Sequence, residues 1–149
     1  IYGIISKNDG EVTTETEARQ LSPLVMAFVG DGVFTLFVRS RLAEESRGKA
    51  GSLHKTASRY ISAAFQAYVM DALSGELTEE ETDIARRARN AHNNTVAKNA
   101  TVLDYKKATA FEAVLGYLSL SRQTDRLDYI LQKAYYLDKH KEDEDEQSR

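Results

Sequence analysis

The sequence predicts an all-α fold: a single helical bundle of five or more helices. Three observations carry this reading. One proline and eight glycines leave few strand or turn signals among 149 residues. Apolar positions recur at helical spacing, and alternating runs are scarce. Helix start and stop residues stand at the ends of the periodic stretches. With 42% of its residues hydrophobic, the chain can bury one real core but is too short for two comfortable domains. One domain is expected over residues 1–138, followed by an acidic, apolar-free tail, 139–149, expected to be disordered.

Each element has its own signals. Ser22-Pro23 opens the first long helix, with serine as cap and proline in the first turn, where its missing N–H costs nothing. That helix runs to about Glu45, ahead of Gly48. A second runs from about Ser52 to Leu73 and stops at Ser74-Gly75, because glycine accepts the left-handed conformation that closes a helix. Thr78-Glu79-Glu80-Glu81 is a capping box opening a third helix that reaches roughly Arg89. Asn90 to Thr101 is a polar loop. A fourth helix follows from about Asp104 to Ser121, and Thr124 caps a fifth that ends near Asp138.

The residue types present exclude several kinds of chemistry. Without cysteine there is no disulfide scaffold, thiolate zinc site or cysteine nucleophile, and a reducing compartment fits. No basic segment followed by an apolar run and a small-residue cleavage site marks a secretory signal. The most apolar stretch, Leu24 to Val38, is 15 residues long with an aspartate inside, short of the roughly 18–20 that a membrane span needs. A cytoplasmic protein with no membrane partner is expected. The chain opens at Ile1 rather than Met, so its natural start is expected upstream. His54, His92 and His140 show no ligand spacing to one another.

The formal charge of −3 argues, as a total, against a strongly basic nucleic-acid binder. Its distribution argues otherwise. Gly75 to Asp83 holds five acids and no base, whereas Ile84 to Ala108 holds six bases and one acid. The near-neutral sum hides a locally basic stretch.

Two carboxylates stand where carboxylates are costly. Leu24 to Val38, LVMAFVGDGVFTLFV, is apolar on every side as a helix and is expected to be buried all round, with Asp31 at its middle. A buried carboxylate shifts its pKa, finds a donor or binds a metal. Gly30 and Gly32 flank it, each costing the helix about 1 kcal/mol relative to alanine, which points to something approaching the backbone closely. In the fourth helix, ATAFEAVLGYLSL, Glu112 is the matching oddity. Its helical neighbours include Tyr105, Ala108, Thr109, Leu115, Gly116 and Ser119, a small stripe suited to packing against Gly30-Asp31-Gly32. Two acids on facing core helices repel unless a cation lies between them, and oxygen-only ligation of that kind suits Mg²⁺. Two unrelated, separately satisfied acids remain the alternative.

Arg86, Arg87 and Arg89 end the third helix, and Asn90, His92, Asn93, Asn94, Thr95, Lys98 and Asn99 follow them. Cations at a helix C-terminus are ordinary dipole partners. The Asn and Lys density that continues through the loop instead suits contacts to phosphates and 2′-hydroxyls, the way duplex RNA is read by shape. Lys106 and Lys107 extend this patch towards the helix of Glu112. A basic patch beside an acidic pair is the arrangement of a metal-dependent nuclease.

These motifs together resemble the ribonuclease III catalytic domain, and within that family its short form, Mini-ribonuclease III. Leu24 to Val33, LVMAFVGDGV, matches the second half of the family signature through Phe28, Gly30, Asp31 and Val33. Thr109 to Gly116, TAFEAVLG, matches the later motif. The short form is indicated by His54-Lys55-Thr56-Ala57-Ser58 with Ser62-Ala63, by Arg87-Ala88-Arg89-Asn90-Ala91, and by Lys98-Asn99-Ala100 leading into Tyr105. The resemblance implies that Asp31 and Glu112 are the catalytic, Mg²⁺-holding acids. It implies RNA contacts from Lys55, Arg86, Arg87, Arg89, Asn90, His92, Lys98, Asn99 and Lys106. Ala27 and Thr109 stand where larger relatives carry two more acids, and Ala88 and Ala97 where the short form usually has glycine and proline. A homodimer is implied, acting on structured, double-stranded precursor of large-subunit ribosomal RNA and leaving 5′-phosphate and 3′-hydroxyl ends. Two rivals remain from the residues alone: an inactive relative that binds RNA, and a helical protein-interaction module whose acids pair with buried Arg or Lys.

Overall fold

The computed structural model describes residues 15–45, 49–91 and 101–147, with side chains as far as Leu137. Among them every regular element is an α-helix: α1 (Glu15–Gln20), α2 (Pro23–Glu45), α3 (Ala50–Ile61), α4 (Ala63–Leu73), α5 (Glu79–Asn90), α6 (Val102–Leu120) and α7 (Thr124–Gln147). The bundle is built around α6. Residues from Ala108 to Ser119 are buried on nearly every side, Glu112 excepted. α2 packs along one flank, α4 and α5 along the other, and α7 and α1 close the remaining edges.

The start signals act as their chemistry requires. Ser22 Oγ accepts from the Leu24 N–H at 3.3 Å at the head of α2. Thr101 Oγ1 accepts from the Asp104 N–H at 3.0 Å at the head of α6. At α5 the capping box is complete: the Glu81 N–H donates to Thr78 Oγ1 at 3.1 Å, and the Thr78 N–H donates to Glu81 Oε1 at 2.9 Å. Glu81 is also only 1% exposed, and Arg126 of α7 donates to both of its oxygens, at 2.8 and 2.9 Å. Burial raises the Glu81 pKa, but the Arg126 guanidinium and the cap N–H outweigh it and hold the carboxyl below its usual range. One residue thus starts α5 and pins α7 to it.

Four expectations need correction. The helix expected from Ser52 to Leu73 is two helices, because Ser62 turns out to extended backbone (φ −66°, ψ 148°). Its hydroxyl donates to the Arg59 carbonyl at 2.8 Å and accepts from the Phe65 N–H at 3.2 Å, serving both broken ends. Second, α1 was not anticipated; its acidic first turn and Arg19 at its end are its local support, and Ala18 is its buried contact. Third, α7 continues through residues 139–147, expected to be a disordered tail; Lys, Glu and Gln are good helix formers.

The fourth correction concerns α2. It is buried along one face, by Met26, Ala27, Gly30, Phe34, Val38 and Leu42, and not all round. Phe28 is 81% exposed, and Val25 and Leu36 also face outward. By length and mean hydropathy α2 could cross a membrane, but its buried face is matched to α6 by direct backbone contact. A Cβ built on Gly30 would lie 1.7 Å from the Glu112 carbonyl oxygen, and one on Gly116 would lie 1.8 Å from the Met26 carbonyl oxygen. Two glycines let two helices touch backbone to backbone. The space beside Gly32 is open.

Gly30→Ala and Gly116→Ala are therefore each expected to destabilise the chain by about 2 kcal/mol or more, since the helices must part. Gly51→Ala, where the added methyl meets nothing within 4 Å, should instead be neutral or stabilising by up to about 1 kcal/mol. Urea denaturation followed by helix circular dichroism measures all three.

Candidate active site

The glycine contact decides where the acids go. Gly30 sits against the backbone of Glu112, so Asp31, one residue on, comes beside the Glu112 side chain. The expected close packing of the glycine-flanked segment against the Glu112 stripe is found at Gly30 and Gly116, though not at Gly32. Asp31 is exposed and lies at the border between the buried face of α2 and its outward apolar face; Glu112 is partly buried. The two carboxyls lie close enough to act on one another. Burial first, then the Asp31 carboxyl, push the Glu112 pKa up to about 8. Near neutral pH the Glu112 carboxyl is therefore held towards its protonated form.

The donor set fits a small, hard cation. Two carboxylates that act on one another, one of them open to solvent, leave most of a coordination sphere to water, which is how Mg²⁺ is usually held. No group of three or more His, Asp or Glu side chains that could hold a metal occurs among the described residues, so the pair has no third such ligand among them.

One and two turns before Glu112 on the same face of α6 stand Thr109 and Tyr105. A small hollow of about 40 Å³ is lined there by Leu24, Ala88, Tyr105, Lys106 and Thr109, among others. Lys106 is exposed on its wall. The Thr109 hydroxyl donates to the Tyr105 carbonyl at 2.9 Å inside its own helix. Tyr105 was not singled out as a cleft residue from sequence; its position seven residues before Glu112, two helical turns back on the same face, was the available signal.

The basic residues do not form one patch. Arg87 turns inward and donates to the carbonyls of Arg19, at 2.9 Å, and Leu21, at 3.5 Å, fastening the α1–α2 turn. Arg86 pairs with Asp83 at 2.7 Å. Lys107, expected to extend the patch towards Glu112, points away from it and pairs with Asp71 at 2.9 Å on the far flank of α6. Adjacent residues on a helix differ by about 100° in direction, so Lys106 and Lys107 cannot share a face. Lys55, Arg89 and Asn90 are exposed. His92, Lys98 and Asn99 lie outside the described residues.

Comparison with known proteins matches this arrangement. Residues 24–123 match the Ribonuclease III domain. Mini-ribonuclease 3 of Brevibacillus brevis is 46% identical over 114 residues, covering 76% of this chain and 85% of that protein. Its counterpart in Clostridium tetani is 37% identical over 123 residues, 82% of each. The crystal structure of a Fusobacterium nucleatum protein superposes with a TM-score of 0.74 at 28% identity, over 80% of this chain and 96% of that one. The fold, the carboxylate pair and the relatives agree: the chain belongs to the ribonuclease III family, and within it to the Mini-ribonuclease 3 endoribonucleases.

Proposed function

We propose that this endoribonuclease cleaves duplex RNA at the Asp31–Glu112 pair, with Mg²⁺ held between the two carboxyls, and that its substrate is structured precursor of large-subunit ribosomal RNA in the cytoplasm. The observation that carries the reading is the pair itself: two acids forced together by backbone contact, with Glu112 driven towards its protonated form. Such a pair costs stability and has no structural task. A divalent cation there supplies positive charge against the scissile phosphate and a more acidic water as nucleophile.

The chain's own residues do the rest. Asp31, open to solvent, is the acid that an arriving cation meets first. Glu112 must release its proton to become the second ligand, and its burial keeps bulk water from screening that charge. Lys106, exposed beside the hollow at Tyr105 and Thr109, is suited to hold a phosphate of the backbone. Attack of water on phosphorus breaks the bond to the 3′ oxygen, leaving a 5′-phosphate on one fragment and a 3′-hydroxyl on the other. Lys55, Arg89 and Asn90 are exposed cations and an amide suited to further backbone contacts.

The outward face of α2 supports a homodimer. Phe28 at 81% exposure, with Val25 and Leu36 beside it, is an apolar strip on a helix whose other face is already filled, and such strips mark interaction surfaces. Asp31 adjoins this face, so pairing two copies across it brings two active sites to one duplex.

Replacing either acid, Asp31→Asn or Glu112→Gln, is expected to lower the cleavage rate on duplex RNA with Mg²⁺ by about two to three orders of magnitude; wild-type turnover in either variant sinks the assignment. The raised Glu112 pKa also has a stability signature. Unfolded, the group ionises near 4.5, whereas folded it ionises at about 8. In chelator, wild-type stability is therefore full below the unfolded pKa and falls as pH rises through about 8. Glu112→Gln lacks that fall, so its melting temperature relative to wild type should rise between about pH 5 and about pH 8.5, with Mg²⁺ stabilising wild type alone. Phe28→Glu should convert the dimer to monomer in sedimentation velocity; an unchanged dimer rejects this face as the interface.

A further inference from the structure

A second cavity opens on the flank of α6 opposite the carboxylate pair, between α4, α5 and α6, with a volume of about 220 Å³. Neither Asp31 nor Glu112 lines it, and it shares no lining residue with the hollow at Tyr105 and Thr109, so this cavity is separate from the carboxylate pair. Its floor is apolar, built from Met70, Leu77, Ala85 and Ala110. Its rim carries three cations, Arg86, Arg89 and Lys107; Asp83 pairs with Arg86 at 2.7 Å and Asp71 with Lys107, so the rim keeps one net positive charge. Asp71 holds the Lys107 ammonium at 2.9 Å, with that side chain only 19% exposed. Arg89 has neither ion pair nor hydrogen bond among the described residues. The Ser74 and Thr82 hydroxyls line the wall between floor and rim.

We propose that this cavity binds a nucleotide, with its base or ribose on the Met70–Ala110 floor and its phosphate at the Arg86, Arg89 and Lys107 rim. The composition selects that class. An apolar floor gives nothing to a bare inorganic anion, and a cationic rim gives nothing to an uncharged apolar ligand. Arginine presents a planar fork of N–H donors that fits phosphate in bidentate fashion. The volume falls below the roughly 300–1,000 Å³ of sites for drug-sized ligands, so it takes one ring system and leaves the phosphate at the mouth. The same chemistry is offered by a free mononucleotide and by the 5′-phosphorylated end of an RNA strand.

Isothermal titration of the full chain with adenosine 5′-monophosphate, adenosine and inorganic phosphate tests this without any cleavage readout, so its result is independent of the active-site assignment. The mononucleotide should bind saturably at millimolar concentration or below, with adenosine and phosphate each about tenfold weaker or more. Lys107→Glu and Arg89→Glu should each weaken it by about tenfold or more, while Asp31→Asn leaves this affinity unchanged. Competition by a short single-stranded RNA bearing a 5′-phosphate, and not by its dephosphorylated twin, identifies the strand end as the source; no competition by either identifies the free nucleotide. Absence of saturable binding, equal binding in both rim variants, or inorganic phosphate binding as tightly as the mononucleotide overturns the proposal.

Discussion

The backbone contact between α2 and α6 at Gly30 and Gly116 is the constraint on which the rest depends. With no Cβ at either position, the helices approach until carbonyl oxygens occupy the space that a methyl group would need. Helix separation with larger side chains is about 8–10 Å, and any widening would carry Asp31 away from Glu112. The glycines cost helix propensity and return a fixed distance between two acids. That distance, and not the identity of either residue alone, sets the chemistry of the cleft.

The same contact creates an electrostatic tension that the surrounding fold does not relieve. The buried Glu81, by contrast, has a cationic partner, receiving two bonds from Arg126. Glu112 has burial and then the Asp31 carboxyl against it, and both push its pKa up. A site that holds two acids against one another is arranged for something that arrives from outside. Cation and polyanionic substrate complement each other there, since the cation neutralises acids and phosphate together.

Much of the fold and the heart of the site were legible because they break local rules. An aspartate between glycines in an apolar helix, and a glutamate inside ATAFEAVLG, stand out against their surroundings, and the caps at Ser22 and Thr78 act as their residue types dictate. The rest was hidden for physical reasons. Ser62 interrupts a continuous helical pattern by one hydroxyl that satisfies both broken ends, and no breaker residue marks it. The exposure of Phe28 was unreadable because hydrophobicity says that a face avoids water and not which surface covers it. Arg87 is a cation by type but a fastener by geometry, since its carbonyl partners at Arg19 and Leu21 lie more than sixty residues away in sequence. Lys106 and Lys107 differ by a single step of helical rotation, and that step puts them at two different hollows.

The central claim is that Asp31 and Glu112 form one cation site. Electron paramagnetic resonance follows it directly, by titrating Mn²⁺ into the full chain and recording loss of the free-ion signal. Wild type should take up the ion in saturable fashion, and the Asp31→Asn, Glu112→Gln double variant should leave that signal as it is in buffer. Equal saturable uptake by both proteins would contradict the account.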